Sequence, residues 1–242
     1  MKTSDIVKHI KLPRNEILFL HVRLKGICEP IYSKFTIELI EQLTAAYSPK
    51  TILIPSYTYS FTNTGVYDIA KTKSETGRFG EEARLIFGKE CRTFNPVFSV
   101  IDTLKYIQKR RINENTAFGA DSLFEVLARE GYIIVNINLE YLITTHLHFL
   151  ENQLQVPYRF EKIFEGTIFN AGNKVKDIKF DYFVRDLAST PELDRRKIEK
   201  YLMDEKAIYY SSEYPIKWLH SFELDRLLVP EIQNDPLFLL KG

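Results

Sequence analysis

Ile17-Leu18-Phe19-Leu20-His21-Val22 is a nearly unbroken apolar run, and a strand that reads this way is buried on both faces. Thr51-Ile52-Leu53-Ile54-Pro55 reads the same way. Between them Phe35, Leu39, Ile40 and Leu43 recur at the helical period, and Ser48-Pro49-Lys50 closes that helix. Two buried strands joined through a helix pair in parallel, because parallel neighbours need a long crossover whereas antiparallel ones need only a turn. The predicted fold class is therefore α/β, with a mostly parallel central sheet flanked by helices in three layers.

Upstream, residues 1–15 read as a short helix ending at Leu12-Pro13, since proline disfavours a helical residue before it. Downstream, residues 56–77 are rich in Ser, Thr and Tyr without periodicity, a long loop of the kind that usually carries function. A helix at Phe79–Phe87 precedes a polar loop that runs into a short strand across Arg92–Val100. A helix N-capped by Ser122, with Glu125 at the capping-box distance, and a third apolar strand at Tyr132–Ile137 follow. The α/β core thus spans residues 1–157. Tyr158–Phe169 and Val175–Phe183 read as strands joined at Asn170-Ala171-Gly172-Asn173, a hairpin signal. A charged helix at Pro191–Asp204, a strand at Ala207–Ser211 and a short helix at Phe222–Leu228 complete the reading. Residues 158–242 are taken as an antiparallel elaboration of a single domain, because no linker rich in Gly, Ser or Pro divides the chain.

The 242 residues are 45% hydrophobic and 27% charged, enough apolar material for a sizeable core. Lys plus Arg number 33 against 32 for Asp plus Glu, so no bulk charge draws the chain to nucleic acid or anionic membrane. The expected partner is a small molecule, with no nucleic acid, and a homodimer is left open. Cys28 and Cys91 are too isolated for a disulfide framework and suit a reducing compartment. No apolar run reaches the length of a signal peptide or a membrane span, so the expectation is a cytoplasmic protein.

Thr144-Thr145-His146-Leu147-His148-Phe149-Leu150-Glu151 carries the chemistry. On a helix, Thr144, His148, Glu151 and Gln155 form a polar stripe beside an apolar one of Ile143, Leu147, Leu150 and Leu154. An imidazole and a carboxylate three residues apart meet on a helix surface. The carboxylate then fixes the tautomer and leaves the other ring nitrogen free to take a proton, which makes a general base. A solvated helix face has the same pattern. His146 and His148 are two apart and point to different sides of a helix, so they cannot share an ion, and no metal is expected. His21, at the end of a buried strand, suits a hydrogen-bonded core histidine, and His9 and His220 carry no signal. The phosphate loop GxxxxGK[ST], GxGxxG after a strand, HExxH and GxSxG are all absent, against nucleotide hydrolase, Rossmann dehydrogenase, zincin and serine hydrolase readings. Arg23-Leu24-Lys25-Gly26-Ile27-Cys28 has the look of the pyrophosphate loop of GCN5-related acetyltransferases, but it follows the first strand and puts Cys where a small residue is needed.

His21-Val22-Arg23-Leu24-Lys25-Gly26-Ile27 follows an HxSLxxxG strand end, and Ile54-Pro55-Ser56-Tyr57-Thr58 an MPTYT segment. Arg92–Ser99 follows RSxHPxxS, Phe118-Gly119-Ala120-Asp121-Ser122 follows FGxGSP, and Thr145–Glu151 follows TxLHxxE. In these segments, in this order, the chain resembles the aminoglycoside 3-N-acetyltransferase family, which is distinct from the GCN5-related fold. The resemblance runs from about residue 15 to the end and is clearest up to Arg159.

That resemblance implies acetyl transfer from acetyl-coenzyme A to an amine of an amino sugar. It makes His148 the base and Glu151 its carboxylate. His21, Arg23, Lys25, Arg92, Ser99, Ser122 and Thr145 fall at cofactor positions, the cations for phosphates and the hydroxyls along the pantetheine path, and Tyr57, Tyr59 and Asn95 at acceptor positions. Four departures stand out: Arg23 replaces the family's serine, Asn95 replaces its histidine before proline, Asp121 replaces the second glycine of FGxGSP, and Leu123 replaces its proline. Near-balanced charge favours an amino sugar or sugar nucleotide over a polycationic antibiotic. The alternative is a divergent member that has lost acetyl-coenzyme A and serves as a binding or assembly subunit. An Arg23 guanidinium plugging the channel beside His148 would favour that alternative.

Overall fold

A computed structural model describes residues 2–27, 32–186, 188 and 190–241, and Cys28 lies outside them. The described chain opens with α1 (Thr3–Ile10), β1 (Ile17–Val22), α2 (Tyr32–Tyr47), β2 (Thr51–Pro55), α3 (Phe61–Thr64), β3 (Val66–Asp68), α4 (Arg78–Phe87) and β4 (Val100–Asp102). It continues through α5 (Leu123–Glu130), β5 (Ile133–Ile137), α6 (His146–Gln153), β6 (Arg159–Asn170), β7 (Asn173–Arg185), α7 (Arg195–Asp204), β8 (Tyr209–Tyr210), β9 (Ile216–His220) and α8 (Ser221–Asn234).

The main sheet has the order β4-β2-β1-β5-β9-β8. Its three central strands are parallel, with Leu18 opposite both Ile52 and Ile133, while β4, β9 and β8 run antiparallel. The apolar run of β1 is continuous because both its faces are covered. Leu18 and Leu20 pack with Ile10, Leu39 and Phe79, under α1, α2 and α4. Ile17 and Phe19 pack with Phe124, Leu147 and Leu224, under α5, α6 and α8. Each such side chain contributes about 1.5–3 kcal/mol by leaving water, and together they make the expected three layers.

A second sheet, β3-β6-β7, shares the core of the first through Tyr67, Ile168, Ile178 and Phe180. The hairpin turns at Ala171 and Gly172, both at positive φ (54° and 89°), as a tight two-residue connection requires. The Asp68 carboxylate accepts from Ala171 N–H at 3.1 Å and Gly172 N–H at 2.7 Å and so pins the tip.

Several elements depart from the sequence expectation. Residues 56–77 contain α3 and β3 rather than loop alone, because β3 gains its partner only when β6 folds beside it, Val66 opposite Thr167. The strand β9, which the sequence pattern does not announce, completes the sheet along β5. The helix expected at Pro191–Asp204 begins at Arg195, where the Asp194 side chain accepts from Lys197 N–H. The final helix continues through Pro230 to Asn234, extending the buried stripe Leu224, Leu228 and Ile232. As expected, Ser122 caps α5, accepting from Glu125 N–H at 3.2 Å.

Glu114, in the connection before α5, has an Oε2 that is buried without a partner. Burial pushes its carboxyl up from 4.5 to about 7. A carboxyl whose folded value lies above its unfolded one binds more protons folded, so stability falls as pH rises from about 4.5 to about 7 and is level beyond. Glu114→Gln should therefore be the more stable form at pH 8, by on the order of 3 kcal/mol, with the gain vanishing near pH 4. Urea unfolding at the two pH values measures this, and equal stabilities at pH 8 would refute it.

Candidate active site

The site grows from the carboxyl ends of the parallel strands, where open α/β sheets place their ligands. After β5 the chain must fold back to begin α6, and Asn136 makes it do so: its Oδ1 accepts from Ile143 N–H at 2.7 Å and its Nδ2 donates to Ile143 O at 3.0 Å. Leu142 N–H donates to the carboxylate of Glu199, which is held by Lys217 at 2.7 Å and by Tyr210. The approach to α6 is thus fixed from β5, α7, β8 and β9.

On α6, His148 Nδ1 and Glu151 Oε2 lie 2.6 Å apart. Arg159, from the start of β6, brings Nη2 to 2.6 Å from the same Oε2. Tyr158 O–H donates to Oε1 at 2.9 Å. Arg159 Nη2 is also 2.9 Å from His148 Nδ1. A guanidinium only donates, so its contact favours a bare Nδ1 whereas the carboxylate favours a protonated one; the shorter approach, to the full charge of Glu151, favours the proton on Nδ1, with Arg159 directing its own N–H to the same oxygen. Nε2 is then the free lone pair. Glu151 is fully buried and Arg159 nearly so, whereas 28% of the His148 side chain is open. Burial alone would raise the Glu151 carboxyl, but the hydrogen bond from His148 and the charge and hydrogen bond of Arg159 hold it below the ordinary value. It remains an anion that orients the imidazole.

His148 faces two cavities. The narrow one, about 270 Å³, lies at the ends of β1 and β2 and is walled by Leu20, Ile54, Phe79, Leu142 and Leu147. The wide one, about 820 Å³, runs between α6 and the hairpin, past Tyr59, Phe164 and Tyr182 to Arg185, Arg195 and Arg196. Tyr59, His148, Leu193 and Arg195 line both.

Of the sequence-derived site residues, His21, Tyr57, Tyr59, Thr145 and His148 come together along the narrow cavity. His21 Nε2 is buried without a partner, and burial lowers its pKa to about 3, so the ring is neutral. Tyr57 O–H and Thr145 Oγ1 are 2.8 Å apart, and burial raises the phenol well above its ordinary value, which keeps it a neutral hydrogen-bonding group.

Other positions serve the scaffold. Arg92 is 1% exposed and its guanidinium ties down the carbonyls of Ser56, Ile69 and Thr72, so it cannot reach a phosphate in either cavity. Ser99 donates to Ser56 O at 2.5 Å, and Ser122 is engaged as a cap. Asn95 is buried with its Oδ1 on the Val97 and Phe98 amides, a turn-former rather than an acceptor contact. Arg23 and Lys25 are exposed, and neither side chain lines either cavity.

The polar stripe is shorter than its spacing suggests, since Thr144 precedes α6 and Gln155 follows it at positive φ. His146 points into the core, with Nδ1 3.0 Å from Tyr132 O–H and Nε2 2.7 Å from Asp225. Sequence reasoning misses Tyr158, Arg159 and Arg195. The first two approach Glu151 from beyond α6, and Arg159 is buried to 4% of its side-chain area although no local spacing marks it as an interior residue.

No protein-family model matches the sequence, and no curated protein matches it. Solved structures do. A histidine-to-alanine mutant of aminoglycoside acetyltransferase AAC(3)-IVa in complex with a gentamicin is 15% identical with a TM-score of 0.71, over 100% of this chain and 92% of that one. AAC-IIIb, as a binary complex with CoASH, is 12% identical with a TM-score of 0.73, over 97% of both chains. YokD protein from Bacillus subtilis is 13% identical with a TM-score of 0.69, over 97% of this chain and 99% of that one. At these identities the likeness is one of architecture: the chain has the fold of the aminoglycoside acetyltransferases.

Proposed function

We propose that this protein is an N-acyltransferase that moves an acetyl group from acetyl-coenzyme A to the amine of an amino sugar. The observation that carries the reading is the His148–Glu151–Arg159 cluster, whose imidazole lines both a narrow cavity and a wide one. Two-substrate transfer needs such an arrangement, since each reactant must arrive from its own side at one base. Neighbours in fold that bind CoASH and gentamicin support it.

The narrow cavity fits a pantetheine arm. Its walls alternate apolar side chains such as Leu20, Ile54 and Phe79 with polar ones such as Tyr57 and Thr145, and the unpartnered Nε2 of His21 is a buried polar atom that an amide of such an arm would satisfy. Coenzyme A supplies an activated thioester carbonyl and a thiol leaving group. The chain's own contributions are distinct. His148 Nε2 takes the proton from the attacking amine, Glu151 holds the ring in the tautomer that permits this, and Arg159 and Tyr158 keep Glu151 charged and aimed. As the N–C bond forms and the C–S bond breaks, the proton on His148 is available to the departing sulfur. Tyr57 and Thr145 offer hydroxyls to the acyl oxygen. Arg23 is exposed and lines neither cavity, which favours the enzyme over the binding-subunit alternative.

The test is thiol release from acetyl-coenzyme A in the presence of amino sugars. Release should require both protein and amine. Thiol release that is indifferent to the amine, or absent across a panel of amino sugars while coenzyme A causes no thermal shift, would remove the reading.

A further inference from the structure

The far wall of the wide cavity is strongly cationic. Arg159, Arg185, Arg195, Arg196 and Lys241 line it against only Glu192 and Asp194. The local pairings decide what is left over. Lys241 is spent on Glu192 at 2.7 Å, and Arg159 on Glu151. The Asp194 carboxylate accepts from Lys197 N–H at the start of α7. Arg185 donates one nitrogen to Pro191 O, and Arg196 one nitrogen to Tyr141 O–H at 3.0 Å, so each keeps donors in hand. The guanidinium of Arg195, which borders both cavities, makes no hydrogen bond or ion pair among the described residues. The field of this wall reaches its own carboxylate: after the hydrogen bond and charge of Lys241, Arg185 and Arg195 help hold Glu192 below the ordinary value.

A wall with three guanidinium groups in reserve repels a polycationic amine and suits an anion, and the planar guanidinium fork matches phosphate in particular. The aromatic faces of Tyr59, Tyr182 and Phe164 between this wall and His148 suit the apolar faces of sugar or base rings. A volume of about 820 Å³ accommodates a ligand larger than one sugar.

We infer that the acceptor is an amino sugar bearing a phosphate, of the nucleoside diphosphate type, with its phosphates on Arg185, Arg195 and Arg196 and its amine at His148. The inference rests on the acyltransferase reading for the identity of the amine but not for the phosphate contact. The same chemistry could come from the phosphates of coenzyme A, and the experiment separates the two sources.

Calorimetry on the full chain compares UDP-glucosamine, glucosamine, kanamycin, coenzyme A and 3′-dephospho-coenzyme A, for the natural protein and for Arg195→Ala/Arg196→Ala. Both replaced side chains are exposed, so the variant is expected to fold, and circular dichroism checks this. UDP-glucosamine should bind at least about 10-fold more tightly than glucosamine, and the double variant should lose about 10- to 100-fold of that affinity, a larger loss than coenzyme A suffers although Arg195 also borders the narrow cavity. Tighter binding of kanamycin than of UDP-glucosamine would overturn the inference. So would a variant that loses coenzyme A affinity and leaves UDP-glucosamine untouched, since the wall would then belong to the coenzyme. If UDP-glucosamine binds through the arginines but no acetyl transfer occurs, the phosphate site stands and the acyltransferase reading fails. A charge reversal, Arg195→Glu, is a second probe: it should weaken UDP-glucosamine and strengthen kanamycin.

Discussion

Replacing His148 by alanine is expected to lower kcat by about 10²- to 10⁴-fold, the usual contribution of a positioned general base, while changing coenzyme A affinity less than threefold. The expectation follows from two facts. His148 is the member of the cluster that lines both cavities, and with Nδ1 on Glu151 at 2.6 Å its Nε2 is the nitrogen left to act as base. The narrow cavity is walled by many other side chains, Leu20, Ile54, Phe79 and Leu147 among them, so the loss of one imidazole should spare cofactor binding. What activity remains would come from holding the two substrates together, which alanine does not disturb. A variant with kcat within threefold of the natural protein would place the base elsewhere.

The largest stability effect is expected at Arg159. It is the fixed positive charge beside Glu151, and both are buried, so Arg159→Met leaves a carboxylate in the interior with the His148 ring and the Tyr158 hydroxyl but no fixed cation beside it. Breaking a buried pair from one side costs about 3–5 kcal/mol. Methionine fills much the same space, so the loss reports charge rather than a cavity. The pH dependence distinguishes this from a packing defect. Because Glu151 is held below the ordinary carboxylate range, its contribution is present above that range and is lost as pH falls through the folded value. The gap between the natural protein and Arg159→Met should therefore narrow below about pH 4. Adding Glu151→Gln to Arg159→Met should restore part of the stability at pH 7, and a double variant as unstable as the single one would contradict the account.

How much of this can be read from residues alone depends on where each partner sits in the chain. The strands β1, β2 and β5 are legible because both faces of each are buried, which leaves an apolar run with few gaps. The pair His148 and Glu151 is legible because its spacing is local to one helix. By contrast β3 has three residues, too few for any period, and is a strand only because β6 lies beside it. Arg159 and Tyr158 are invisible as site residues for the same reason: their approach to Glu151 is set by how β6 leaves α6, not by spacing. The motif resemblance locates Arg92, Asn95, Ser99 and Ser122 near the right loops but misjudges their roles. Each is buried and spends its polar atoms on backbone groups, shaping the walls that His21, Tyr57 and Thr145 then line. The cationic wall gathers Arg159, Arg185, Arg195, Arg196 and Lys241 from separate stretches of the chain, so the net charge of +1 does not reveal it.

The central claim is that the thioester reaches His148 through the narrow cavity. A structure determined with coenzyme A bound tests this most directly. The account predicts the pantetheine arm between Leu20, Ile54 and Phe79, one of its amides on His21 Nε2, and the sulfur beside His148 Nε2. Coenzyme A seated with its sulfur away from His148, or the narrow cavity closed in the complex, would contradict it.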